Sequence, residues 1–297
     1  MFALRLLFGI VALFAVAVNP VPAHAARDGP DYDRGLLWRV ERQGVAPSYL
    51  FGTLHHDDER VTRLPPAVER AFERAERLAL ELINDDEAVA KFRRAMLRKE
   101  PLLSALLGDA DWPRVDERLA AHGMPQTARA HLKPWAALLI LARPPESPGI
   151  ILDNLLAIEA KNRGKTIEAL ETIDEQIGAM NDLPEDTQLA LLRHAEANYD
   201  SIQQSLGPLL EAYLARDLRR IWQINGEMMA GEGQIAVHNE RFIDSLLYRR
   251  NQRFAERLAP LVDRGKTFAA VGALHLYGPR GVLALLAGRG YRVTRVY

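Results

Sequence analysis

Two histidines, His55 and His275, each stand three residues after a glycine, in Gly52-Thr53-Leu54-His55 and Gly272-Ala273-Leu274-His275. Neutral imidazole is a common ligand for borderline divalent metals, and two histidines with one carboxylate leave positions open for water and substrate. Glu81 supplies a carboxylate from the otherwise apolar run Leu78 to Ile83, where burying it requires a partner. Water on such a metal loses a proton near neutral pH and attacks a carbonyl carbon, so His55, His275 and Glu81 predict metal-assisted hydrolysis. Each glycine lets a neighbouring strand or a ligand approach, since no Cβ intervenes. A histidine at a strand end is also a common hydrogen-bonded structural residue. The recurrence of the pattern 220 residues apart favours one shared site over a local turn.

Such a site needs strands that bring distant residues to one edge. Ser48 to His56, Arg77 to Ile83 and Thr267 onward are short apolar runs, and each carries one of the three residues at its carboxyl end. Ligands collect at that edge in open α/β sheets. Leu36 to Glu41 pairs with Ser48 to His56 as a hairpin across Arg42-Gln43-Gly44, and Tyr291 to Val296 closes the chain as a strand. Leu64-Pro65-Pro66 opens a helix, with proline where its missing N–H does no harm. From about residue 87 to 262 the spacing of apolar residues is helical, in segments such as 111–122, 128–141, 151–163, 209–224 and 240–262, interrupted by a short strand over 166–170. The fold class is therefore α/β (α+β), a mixed central sheet built from both chain ends around a large helical insertion. Arg250 and Asn251 fall on the last of these helices, beside Leu246, Leu247 and Phe254; the pattern leaves them as either a solvated polar face or donors in a pocket. His56, His122, His131, His194 and His238 lie among charged or loop residues and read as surface histidines.

The N-terminus has a positive Arg5, an apolar Leu6 to Val18 and a small-x-small Ala23-His24-Ala25, the pattern of a secretory signal peptide over residues 1–25. The apolar run is shorter than the ~20 residues that span a bilayer. The expectation is an exported protein, periplasmic or secreted, with no integral membrane segment after cleavage and residues 26–297 as one domain. No cysteine occurs, which removes thiolate nucleophiles and cysteine-zinc sites; any metal must be held by His, Asp or Glu. With 38 Lys and Arg against 39 Asp and Glu, no electrostatic footprint for nucleic acid exists. A Gly-x-Ser-x-Gly elbow, a His-Glu-x-x-His helix and a phosphate loop are all absent from the sequence.

Phe51-Gly52-Thr53-Leu54-His55, Leu64-Pro65 and Leu80-Glu81-Leu82 together resemble the opening of the TraB/GumN family, which includes the animal Tiki proteases. Arg250-Asn251, Val271 to Gly278, Gly281-Val282 and Gly290 to Val293 are similar to its closing block, and Lys133-Pro134-Trp135, Asp153, Leu170-Glu171-Thr172 and Gln176 to its middle markers. The resemblance implies an erythromycin esterase/ChaN-like fold and a peptidase using a divalent metal, manganese, cobalt or zinc. It implies His55, His275 and Glu81 as metal and catalytic groups, with Arg250 and Asn251 binding substrate, a peptide or a small molecule. A non-catalytic protein that sequesters a peptide or haem on the same fold is the alternative. Ile83 stands where the family often has an acid, leaving Asp85 or Asp57 to replace it, and Leu274 where a second glycine is common.

Overall fold

The computed structural model describes residues 32–145 and 149–297, so the expected signal peptide lies outside the described residues. The sheet has six strands, β1 (Leu37–Glu41), β2 (Ser48–Thr53), β3 (Arg77–Leu80), β4 (Thr166–Ala169), β5 (Thr267–Gly272) and β6 (Arg292–Arg295), in spatial order β4-β3-β5-β2-β1-β6. β2, β5, β3 and β4 run parallel, while β1 is antiparallel to both β2 and β6. The fold is α/β with a mixed sheet drawn from both ends of the chain. Its central member, β5, arrives late in the sequence and inserts between β2 and β3. Every residue of β5 is buried, because a central parallel strand is covered on both faces. Its Phe268 packs edge-on against Phe72 of the Pro66–Arg74 helix at 5.4 Å and tilted against Phe51 of β2 at 5.9 Å.

Between Asp86 and Arg264 the described chain is helical apart from β4 and the connections. Two predicted helices are each split. The segment 128–141 divides into Gln126–Arg129 and Pro134–Leu141, because Pro134 starts a new helix and cannot continue an old one. The segment 209–224 joins the end of Tyr199–Leu214 to Leu218–Met228. It breaks at Arg216, whose φ is 59°, and at Asp217, whose side chain caps the Arg220 N–H at 2.9 Å. Before Arg249–Arg264 comes a π-helical turn, Asp244–Tyr248, of the wide kind that recurs at functional sites. His122 is not on the surface: it is buried at the end of the Leu103–Ala121 helix, bonded to Tyr199 Oη at 2.9 Å, and burial pulls its pKa down to about 4. Among the described residues no helix is long and apolar enough to cross a membrane.

The two motif glycines differ in what they permit. A Cβ on Gly52 would stand 2.7 Å from Leu276 Cδ1 and 3.1 Å from the Ala273 Cα, so the turn after β5 requires a bare backbone there. On Gly272 a Cβ would meet Glu81 Oε1 at 3.4 Å and His275 Cδ2 at 3.5 Å, ordinary contact. Gly52→Ala is accordingly expected to destabilise by about 1–3 kcal/mol, the usual range for overpacking, and Gly272→Ala by clearly less. Thermal melts of the two variants check this, and equal losses would contradict it.

Candidate active site

Because β2, β5, β3 and β4 are parallel, their carboxyl ends share one edge. β2 delivers His55 two residues past its end, and β3 delivers Glu81 at the next position. β5 passes into a 3-10 turn, Ala273–His275, that carries His275, so this histidine sits in a turn following the strand. β4 delivers Glu171, whose N–H donates to the Glu81 carbonyl at 2.9 Å and extends the ladder past the strands. His275 Nε2 lies 3.6 Å from Glu81 Oε1, and His55 is near enough to act electrostatically on both. The structure thus brings the three sequence-predicted residues to one place.

Arg250 and Asn251 join them, 1% and 0% exposed, from the Arg249–Arg264 helix. A guanidinium carries five N–H donors, and Arg250 has an acceptor for each. Nε donates to Glu171 Oε2 at 3.0 Å, Nη1 to the Leu246 carbonyl at 3.1 Å and to His275 Nε2 at 3.3 Å, and Nη2 to Glu81 Oε2 at 2.7 Å and to Glu171 Oε1. Asn251 Nδ2 donates to the Arg280 carbonyl at 2.8 Å, which turns its Oδ1 toward His275 Nδ1 at 2.5 Å. His275 therefore carries its proton on Nδ1 and a lone pair on Nε2. Glu171 also accepts from Arg253 at 3.1 Å and from Gln176 at 3.1 Å.

Burial would raise the Glu81 carboxyl, but the His275, Arg250 and His55 side chains and the Gly272 N–H, 2.6 Å from Oε1, hold it down at about 2. Burial, with Arg250 and His55 adding to it against Glu81, lowers His275 to about 3, so its ring is neutral. His275, ordinarily 6.5, and Glu81, ordinarily 4.5, are both depressed in the fold. Their stabilising contribution is present above those ordinary values and is lost as pH falls, from about 6.5 for His275 and from about 4.5 for Glu81. Melting temperature is expected to decline with acid below about pH 6.5. In His275→Gln the decline from about pH 6.5 to 4.5 should become shallower, with His122, also depressed by burial, keeping part of it, and an unchanged slope would contradict the assignment.

His55 has a different environment. Its Nε2 lies 3.5 Å from Asp153 Oδ2, and Thr53 Oγ1 donates to Asp153 Oδ1 at 2.9 Å. Burial alone would lower the His55 imidazole; the Asp153 carboxylate, with smaller help from Glu81, outweighs it and the net shift is upward. Nδ1 is buried with no hydrogen-bond partner among the described residues. Asp153 Oδ2, facing Nε2, is likewise buried with no hydrogen-bond partner among the described residues. A histidine with a carboxylate beside one nitrogen and nothing on the other has the arrangement of a proton-transfer group. Tyr213 Oη closes the back of this strand end by donating to the Gly52 carbonyl at 3.0 Å.

Asp153 and Glu171 are the functional candidates that reasoning from residue type left out. Glu171 follows β4 as Glu81 follows β3, so the strand-edge argument applies to it equally. Asp153 sits in the first turn of the Leu152–Asn162 helix, where an acid is ordinary helix chemistry. Asp85 and Asp57 supply no further carboxylate: Asp85 Oδ1 caps the Ala88 N–H at 2.8 Å and Asp57 Oδ2 accepts from the Gly149 N–H at 2.7 Å.

The residues as placed do not fit a divalent ion. Among the described residues no group of three or more His, Asp or Glu is positioned to hold one. Both Glu81 oxygens already accept hydrogen bonds, and the His275 Nε2 lone pair faces the Arg250 guanidinium.

A mixed α/β sheet with paired histidines, carboxylates and a buried Arg-Asn pair at its carboxyl edge defines the class of fold and site. The model of the TraB/PrgY/gumN family matches residues 36–295, and the chain belongs to that family. It is similar to a protein named Metalloprotease TIKI2 from Danio rerio, 27% identical over 313 residues that cover 87% of this chain and 60% of that protein. It is also similar to proteins named Metalloprotease TIKI homolog from Amphimedon queenslandica, at 25% over 88% of this chain and 61% of that protein, and from Nematostella vectensis, at 24% over 88% and 67%. The chain spans about 60% of the length of the first of these relatives. No solved structure matches it.

Proposed function

We propose that this chain is an exported hydrolase of peptide bonds, working at the carboxyl edge of the sheet with His55 as general base and acid. The observation that supports this most is the approach of His55 to Asp153, an imidazole whose Nε2 lies 3.5 Å from a buried carboxylate oxygen and whose Nδ1 is uncommitted. His55 Nδ1 takes a proton from water as the water oxygen bonds to the peptide carbonyl carbon. The carbon–nitrogen bond then breaks and the same proton passes to the departing amine. Asp153 stabilises the imidazolium between these steps. Glu81, His275, Arg250 and Asn251 form the rigid floor: Arg250 and Asn251 orient the site's own residues, since their donors are directed to Glu81, Glu171 and backbone carbonyls. Peptide as substrate is supported by the metalloprotease names of the relatives. Those names also carry a metal, and manganese, cobalt or zinc is the finer expectation. The hydrolysis at His55 is routed through no metal, because among the described residues the donor set does not fit one. Export rests on the leader pattern of residues 1–25.

The test is cleavage of a peptide library by protein purified without an affinity tag, with chelator and with added manganese or cobalt. Cleavage that survives chelator is the expected result. Cleavage abolished by chelator and restored by metal would sink the mechanism, and peptide or haem binding without cleavage would favour the sequestering alternative.

A further inference from the structure

We propose that the Arg250 guanidinium is the resident cation of this buried cluster, holding the His275 Nε2 lone pair and the Glu81 carboxylate together and excluding a divalent ion from both. The inference rests on the cluster's geometry and is independent of whether the chain cleaves peptides. All five Arg250 donors have acceptors, and His275 Nε2 is one of the five. A metal ligated by that nitrogen would leave a buried guanidinium N–H without a partner, a costly arrangement. It would also seat a dication beside a cation. The charges are matched already: Glu81 and Glu171 face Arg250 and Arg253, with Arg250 and both carboxylates sealed from solvent. A dication at His275 Nε2 would add two positive charges to a buried cluster whose own carboxylates and guanidinium groups already balance, a costly arrangement.

The cluster is held from several directions, which argues against Arg250 simply swinging aside. Its Nη1 is tied to the Leu246 carbonyl within the π-helical turn, and its ring-side neighbour Phe254 lies 5.1 Å away under the guanidinium. Asn251, the next residue, presents the proton-bearing side of His275 and so fixes which nitrogen faces Arg250. The tautomer that suits metal ligation is thus present, and the guanidinium occupies its lone pair.

The test reads metal binding directly. Tag-free wild type, Arg250→Met and Arg250→Met/His275→Ala are dialysed against manganese, cobalt or zinc, analysed for metal content, and melted with and without chelator. Wild type is expected to retain under a tenth of an equivalent and to melt at the same temperature in all conditions. Arg250→Met is expected to retain about one equivalent and to gain a metal-dependent rise in melting temperature, both lost in the double variant. Retention of one equivalent by wild type, lost on His275→Ala, would overturn the proposal, as would an Arg250→Met protein that folds and stays metal-free. Should Arg250→Met fail to fold, wild type labelled at histidine decides: selective broadening of the His275 ring signals by manganese overturns the proposal, and unbroadened signals support it. Failure of peptide cleavage in a metal-free wild type would strike the proposed activity and leave this inference standing.

Discussion

His55→Ala and Asp153→Asn are each expected to cut peptide cleavage by roughly 10²–10⁴-fold, the usual contribution of a positioned general base, with little change in melting temperature. The reason for small structural damage differs between the two. His55 stands past the end of β2, so its removal leaves the strand ladder and the hydrophobic core residues in place, although a side chain 12% exposed leaves a gap at the sheet edge. Asparagine at 153 keeps an oxygen for the Thr53 hydroxyl, which donates at 2.9 Å, and loses only the charge. That charge is what outweighs burial at His55. A base must be unprotonated to act, so wild-type activity should rise with pH through a value above the ordinary 6.5 of histidine. In Asp153→Asn burial dominates, and the same limb should move to lower pH while the rate falls. A purely structural Asp153 would lower the rate without moving the limb. Unchanged cleavage in His55→Ala would remove His55 from the mechanism altogether.

Sequence periodicity exposes the edge of this site and conceals its interior. A strand that ends in a polar residue reads as one because apolar residues must stop where solvent or a partner begins, and this located His55 and Glu81. The same rule located His275 to within a turn, since the 3-10 segment after β5 has no apolar period of its own. Glu171 obeys the rule too, but β4 is a partly exposed edge strand and its four residues give a weak signal. Asp153, which the family resemblance marks without giving it a role, is illegible to periodicity for a different reason. An acid in the first turn of a helix is favoured by the helix dipole whatever lies opposite it. Arg250 is the hardest case, because a charged residue on an amphipathic helix is almost always solvated. Its burial depends on two carboxylates contributed from positions 81 and 171, and on a π-helical turn that no residue pattern announces. Helix boundaries failed where single residues decide them, at Pro134 and at the Arg216–Asp217 corner.

Glu171→Ala is expected to be the most damaging single change to stability, about 3–5 kcal/mol, because it removes one member of a buried charge cluster and leaves the others facing each other. Arg250, 1% exposed at its side chain, would lose its bonds to Glu171 and keep only Glu81 as a counter-charge, while Arg253 would lose its bond at 3.1 Å. Gln176, which donates to Glu171 at 3.1 Å, would be orphaned as well. At ~2–4 °C per kcal/mol for a protein of somewhat smaller size, the melting temperature should fall by roughly 10 °C. Arg249→Ala supplies the contrast one residue away: its ion pair with Asp244 is formed by a side chain 71% exposed, and exposed pairs contribute little, about 0–1 kcal/mol. Adding Arg250→Met to Glu171→Ala should return part of the loss, since a buried charge without a partner costs more than an apolar side chain of similar length. A Glu171→Ala protein that melts within about 2 °C of wild type, under 1 kcal/mol on the same conversion, would mean that the helix carrying Arg250 is held to the sheet by packing alone. The buried cluster would then no longer account for the alignment of His275 with Glu81.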